Sequence, residues 1–184
     1  MRIIAGLWKG RTLHVPHNAT FRPTTDRVKE SVFNILAGRI DWQHATVCDL
    51  FAGSGSLGIE AFSRGAASVC FVEQYHASLS VLERNVSELA AGERLRVVRM
   101  NVERFLARFE ERFDLILADP PYGYQEIDQL TAGLPHILAG DGIAVVEHDA
   151  RTSVAETSWL RISAHRTYGR TAVTFFEPRH GDAQ

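Results

Sequence analysis

Val47-Cys48-Asp49-Leu50-Phe51-Ala52-Gly53-Ser54-Gly55-Ser56-Leu57-Gly58-Ile59-Glu60 is the stretch that decides the fold. An apolar run reaches an acid, breaks into a glycine turn and resumes with helical spacing. In that order, strand then turn then helix, glycines let backbone approach a ligand closely while a helix N-terminus points at it. Gly53, Gly55 and Gly58 satisfy G-x-G-x-x-G, and Glu73 stands 20 residues after Gly53 at the end of the next apolar run. An acid at that position can accept ribose hydroxyls.

Outward from this stretch the pattern repeats. Ala45 to Phe51, Ser68 to Glu73, Leu95 to Met100, Phe113 to Ala118 and Gly142 to Glu147 are nearly continuous apolar runs, as strands buried on both faces of a parallel sheet require. Between them, Leu57 to Arg64, His76 to Ala90 and Val102 to Arg112 carry helical spacing. Repeated βα units predict a doubly wound α/β sheet. Two further runs, Leu160 to Tyr168 and Thr171 to Glu177, flank the turn signal Gly169-Arg170 and predict an antiparallel C-terminal edge hairpin, for a mostly parallel seven-stranded sheet in all. At the front, Ile3 to Ala5 and Leu13 to Val15 are expected to pair as a ribbon. Thr24 or Thr25 is placed to cap a helix whose apolar face is Val28, Val32, Ile35 and Leu36. Residues 1–40 thus read as a small extension on the core formed by residues 41–184.

Composition narrows the class. A chain of 184 residues, 45% apolar and 23% charged, is one ordinary globular domain and excludes a disordered or low-complexity polymer. Cys48 and Cys70 both lie inside apolar runs, which excludes a disulfide scaffold and suits a reducing, cytoplasmic setting. No window approaches a membrane span, and Ile3 to Gly6 is too short for the apolar core of a signal peptide. Charge is unevenly spread: the first forty residues carry seven basic side chains against two acidic ones, while the remainder carry 13 against 20. A basic segment on an acidic body is the footprint of a polyanion site confined to one edge. The eight histidines form no ligand set with the cysteines, so no metal is expected.

Two features separate a dehydrogenase from a methyltransferase. Asp49, four residues before the first glycine, can face a cationic ammonium but would sit badly beside a pyrophosphate. At the end of the fourth apolar run stands Asp119-Pro120-Pro121-Tyr122. Consecutive prolines fix φ and remove two donors, leaving a stiff, acceptor-rich loop beside an aromatic, suited to gripping an exocyclic amine.

Asp49 to Glu60 with Glu73 resembles the cofactor half of the class I S-adenosylmethionine methyltransferases. Asp119 to Tyr122 resembles the (N/D)-P-P-(Y/F) motif of members that methylate amino nitrogens. Arg2-Ile3-Ile4-Ala5-Gly6, Lys9-Gly10-Arg11 and Arg22-Pro23-Thr24-Thr25-Asp26-Arg27-Val28 resemble the N-terminal signatures of the RsmD family of bacterial 16S rRNA guanine-N2 methyltransferases. The resemblance implies methyl transfer from S-adenosylmethionine, with S-adenosylhomocysteine released, to guanine N2 of 16S rRNA in the small (30S) ribosomal subunit. By it, Phe51, Gly53, Ser54, Gly55 and Gly58 carry the methionine part, Asp49 faces its amino group, Glu73 binds ribose, and Asn101 and Val102 contact adenine. It makes Asp119, Pro120, Pro121 and Tyr122 catalytic and Lys9, Arg11, Arg22 and Arg27 the RNA contacts. A monomer is expected. The alternatives are an amino-methyltransferase of adenine or of protein glutamine, and a catalytically silent RNA-binding assembly factor.

Overall fold

The apolar runs of the sequence lie side by side in one sheet. The computed structural model describes residues 1–16 and 26–179. In chain order the elements are α1 (Asp26–Leu36), β1 (Thr46–Leu50), α2 (Ser56–Ser63), β2 (Ser68–Glu73), α3 (His76–Glu88), β3 (Leu95–Arg99), α4 (Val102–Arg108), β4 (Phe113–Ala118), α5 (Ile127–Gly133), β5 (Leu138–Asp149), β6 (Leu160–Tyr168) and β7 (Thr171–Pro178). The strand order is β3-β2-β1-β4-β5-β7-β6. The first five pair in parallel; β7 enters antiparallel to β5 and pairs antiparallel with β6 across the Gly169-Arg170 turn. The sheet is the expected α/β one, with its C-terminal hairpin at the edge.

Alternation along the strands separates two apolar layers. Val47, Val69, Phe71, Leu115, Leu117, Val145 and Phe175 face one layer with Phe33 and Leu36 of α1, Ile59 of α2 and Leu82 of α3. Cys48, Leu50, Cys70, Val72, Ile116, Ala144, Val146 and Phe176 face the other with Phe105 of α4 and Leu130 of α5. Burial on both faces accounts for the continuous apolar character of these strands. Because β2 and β4 leave β1 on opposite sides, the strand order reverses between β1 and β4. A crevice at that switch point, outside the carboxyl ends of the strands, is where open α/β sheets bind ligands.

Several elements differ from expectation. The front ribbon shrinks to one antiparallel bridge, Arg2 with Thr12, flanked by Ile3 N donating to Arg11 O at 2.9 Å and Leu13 N to Met1 O at 2.8 Å. The N–H groups of Ile4 and Ala5 go instead to the Glu60 carboxylate, at 2.7 and 3.1 Å. Helix α4 stops at Arg108 because Phe109 adopts an extended backbone and stacks on Phe105, ring centroids 4.1 Å apart. β5 starts early, at Leu138, which pairs with Phe113 before a register shift. α5 has no counterpart among the helices expected from spacing; its apolar face rests on only Ile127 and Leu130 with the buried Thr131. The Thr24 or Thr25 cap lies outside the described residues. Among the described residues no helix is long and apolar enough to cross a membrane.

Gly58 sits in α2 against β2, where an added Cβ would lie 2.4 Å from Phe71 Cε1 and 2.8 Å from Val69 Cγ1. Gly58→Ala should therefore overpack this contact and destabilise by about 1–3 kcal/mol, despite alanine's better helix propensity. A lower urea midpoint at unchanged m-value would show it.

Candidate active site

A cleft of about 1320 Å³ opens at the carboxyl ends of β1, β2, β4 and β5. Its lining brings together the strand-end acids Asp49, Glu73, Asp119 and Glu147 with Phe51, Ala52, Gly53 and Ser54 of the glycine turn. Asp119, Pro120, Pro121 and Tyr122 line it as well, so the two motifs that lie about seventy residues apart in sequence share one cavity.

Backbone donors fix two of the acids. Asp49 is buried, and its Oδ2 accepts from Gly58 N at 2.8 Å, tying the end of β1 to the first turn of α2. Burial pushes its carboxyl well above the usual carboxylate range; the Gly58 bond opposes this, and the charges of Asp119 and Glu73 add to the rise. Glu73 Oε2 accepts from Gly53 N at 2.8 Å, while Oε1 accepts from Gln74 N at 2.7 Å and Tyr75 N at 2.8 Å. A carboxylate offers about four lone-pair directions, so three are taken and Oε2 keeps room for one further donor. Glu73 thus shapes the loop as well as lining the cleft.

Phe51 closes the β1 end of the cleft. Its φ of 60° is the left-handed region, which is strained for a bulky side chain. The ring meets Tyr124 edge-on at 5.1 Å, and the Tyr124 hydroxyl donates to Glu103 Oε1 at 2.8 Å. Burial and the Glu103 bond push the Tyr124 phenol up, so it stays a donor. Asp119 and the prolines are half-buried, while Tyr122 is 73% exposed and presents its ring to solvent at the cleft mouth.

Other expected residues are placed differently. Gly55, at φ +81°, does not line the cleft; its missing Cβ would lie 2.6 Å from Leu82 Cδ1, so it serves the packing of α3 on the loop, as Gly58 serves that of α2 on β2. Val102 lines the cleft, but Asn101 does not: its Oδ1 caps α4 by accepting from Arg104 N at 3.0 Å. An asparagine after a strand is also a helix-start signal, and the cap uses one of the two acceptor directions of its carbonyl. Arg27 lines the cleft; Lys9 is exposed away from the lining, and Arg11 donates to Glu88 O at 2.9 Å. Arg22 lies outside the described residues. Sequence reasoning missed His148, Arg151, Tyr168 and Arg170 on the lining. They sit in strand ends and turns whose pattern signals only a hairpin.

This strand order, with a cleft of strand-end acids facing a proline motif at the switch point, defines a Rossmann-like methyltransferase. The solved structure of the methyltransferase candidate yhhF from Escherichia coli shares the fold at a TM-score of 0.85 and 34% identity, over 97% of this chain and 98% of that one. The family model described as Conserved hypothetical protein 95 matches residues 1–177. The chain is 38% identical over 185 residues to the rRNA methyltransferase candidate YlbH of Bacillus subtilis (strain 168), covering 97% of this chain and 100% of that one. It is 45% identical over 122 residues to ribosomal RNA small subunit methyltransferase D of Escherichia coli (strain K12), covering 66% of this chain and 60% of that one. The chain belongs to the RsmD family.

The Asp49 carboxyl is protonated more readily in the folded chain than in the unfolded one, where its ordinary value is 3.8. Stability therefore falls as pH rises through and beyond that value, and the penalty persists at neutral pH. Asp49→Asn keeps an oxygen for Gly58 N and removes the charge. It should raise Tm at pH 7, with the gain vanishing below about pH 4; thermal melts of both proteins across this range test it.

Proposed function

We propose that this chain transfers a methyl group from S-adenosylmethionine to the exocyclic N2 of a guanine in 16S rRNA, acting as a monomer on the small (30S) ribosomal subunit. The observation that carries the reading is the meeting of Asp119-Pro120-Pro121-Tyr122 with Asp49 and Glu73 in one cleft. Membership of the RsmD family supports the rRNA substrate.

The residues present fit the cofactor. Its ammonium and sulfonium charges suit a floor lined by the carboxyl groups of Asp49, Glu73, Asp119 and Glu147, the first of them buried where its own charge is unfavourable. Glu73 Oε2 has room for one ribose hydroxyl, and Tyr75, Met100 and Val102 line an apolar flank for the adenine. When bound, S-adenosylmethionine supplies a methyl group on a cationic sulfur that becomes neutral as the carbon departs.

The chain's part is to hold the nucleophile. Guanine N2 is weak because its lone pair is delocalised into the ring. Asp119 and the Pro120 carbonyl accept its two N–H bonds, favour a pyramidal nitrogen with the lone pair toward the methyl carbon, and leave Asp119 placed to take the proton the amine must lose. Orientation of this kind is worth about 7–11 kcal/mol in well-aligned systems. Tyr122 stacks on the base, a contact worth about 1–3 kcal/mol, after the nucleotide has been turned out of its stack.

Incubation of the protein with tritium-labelled S-adenosylmethionine and 30S subunits lacking the modification, followed by nuclease digestion and mass spectrometry, should yield N2-methylguanine at one position. Methyl-adenine or methylated protein would overturn the substrate, and no incorporation would favour a silent assembly factor. Asp119→Ala should lower turnover at least a thousandfold with cofactor affinity kept within a few fold. Glu73→Gln sets an amide N–H against the backbone donors and should weaken cofactor binding at least tenfold, as read by calorimetry.

A further inference from the structure

The acidic floor of the cleft contrasts with its lip. Three arginines line the cavity among the described residues: Arg27 from α1, Arg151 after β5 and Arg170 in the turn between β6 and β7. The last two come from segments that carry no motif, yet the sheet fixes them together. Asp149 pairs with Thr171 in register, and Ala150 N donates to Arg170 O at 2.9 Å, which ties the two turns to one another. Gly169, at φ +64°, allows the tight turn that brings Arg170 there.

Arg151 is held as well as placed. Its Nε and Nη2 donate to the two oxygens of Asp149 at 2.9 and 2.8 Å, and the Tyr122 hydroxyl interacts with the same guanidinium. The side chain nonetheless stays 80% exposed, whereas that of Asp149 is 19% exposed. Asp149 engages two of the five N–H donors while most of the side chain stays exposed, so the fork is oriented before any ligand arrives. Arg170 acts electrostatically on the same carboxylate, so two guanidinium charges gather around one acid at the mouth.

We infer that Arg151 and Arg170 form a phosphate-binding lip that grips the RNA backbone of the nucleotide whose base enters beside Tyr122. The inference rests on the RNA reading above and shifts the backbone contacts from Lys9 and Arg11 to the C-terminal half of the chain. An oriented guanidinium with outward N–H groups matches a phosphate's oxygens, and a phosphodiester stays joined to its base at the adjacent ring.

Equilibrium binding of the full chain to 30S subunits and to a fluorescein-labelled single-stranded RNA dodecamer, across a KCl series, tests the lip. Arg151→Ala with Arg170→Ala should weaken both complexes at least tenfold. It should flatten log K against log[KCl] by about 0.7–0.9 for each phosphate no longer neutralised, with Tm and S-adenosylmethionine affinity unchanged. Replacing both by lysine should restore the salt slope but only part of the affinity. Unchanged affinity and slope in the double alanine variant, or no binding by the wild-type chain, would overturn the lip. Arginine-dependent binding without N2-methylguanine would sustain it while removing the guanine reading. Normal methylation with arginine-independent binding would do the reverse.

Discussion

Two carboxylates at neighbouring strand ends, Asp49 and Glu73, hold the glycine turn by its own N–H groups, and the cleft depends on them. Gly58 N and Gly53 N are drawn to β1 and β2 respectively, so the turn is fastened at both ends. Neither acid has a cation as its bonding partner in these contacts. Each is held by backbone dipoles, which orient a carboxylate but only partly offset its loss of water. With Asp119 close enough to Asp49 to raise its carboxyl further, like charges converge where the proposed cationic cofactor would lie. The burial that makes the Asp49 charge unfavourable is what would make a nearby cation favourable, a common trade at functional sites.

A third buried carboxylate has cations beside it, and the contrast is informative. Glu60 in α2 is fully buried, accepts from Ile4 N, Ala5 N and Arg64 Nε, and lies 3.9 Å from Lys29 Nζ. Lys29, equally buried, donates to Arg2 O at 2.8 Å and Ser56 Oγ at 3.0 Å. Burial pulls the lysine down from its ordinary value while Glu60 holds it up. Breaking such a pair leaves a buried charge without its partner, so the arrangement specifies where the N-terminal segment lies as much as it stabilises it. It also sets the start of α2, through Ser56, in fixed relation to α1. Arg27 on α1 therefore reaches the cleft in register with the glycine turn.

Much of this is readable in the residues. The apolar runs fix the strands because both sheet faces are covered, and Gly169-Arg170 marks its hairpin. The cleft is readable too, since an acid before a glycine turn and a proline motif at another strand's end fall at the same edge of any parallel sheet. What escapes has physical causes. Asn101 carries two signals, a ligand acceptor and a helix cap, and the structure shows the cap because the N-terminus of α4 needs an acceptor for Arg104 N. Gly55 and Gly58 satisfy a ligand-binding pattern and also make close contacts with Leu82 and Phe71 that only tertiary structure reveals. Ile4 and Ala5 have strand-like sequence, yet a side-chain carboxylate some sixty residues away supplies their acceptors.

Charge shows the same limit and leads to a view of how RNA would be engaged. Counted along the sequence, the basic residues concentrate in the first forty positions, and the chain as a whole carries −2. Counted around the cleft, the arginines come from both ends of the chain and stand above a floor of acids. At physiological salt the screening length is about 8 Å, so a nearly neutral protein with an acidic body has little long-range pull on a polyanion. On the proposed lip, attraction would act only at short range, where a phosphate sits with its base over Tyr122, a requirement that unstructured RNA meets rarely and a preformed surface meets at once. Under the proposed reading, this charge distribution suits a folded ribonucleoprotein target better than free RNA.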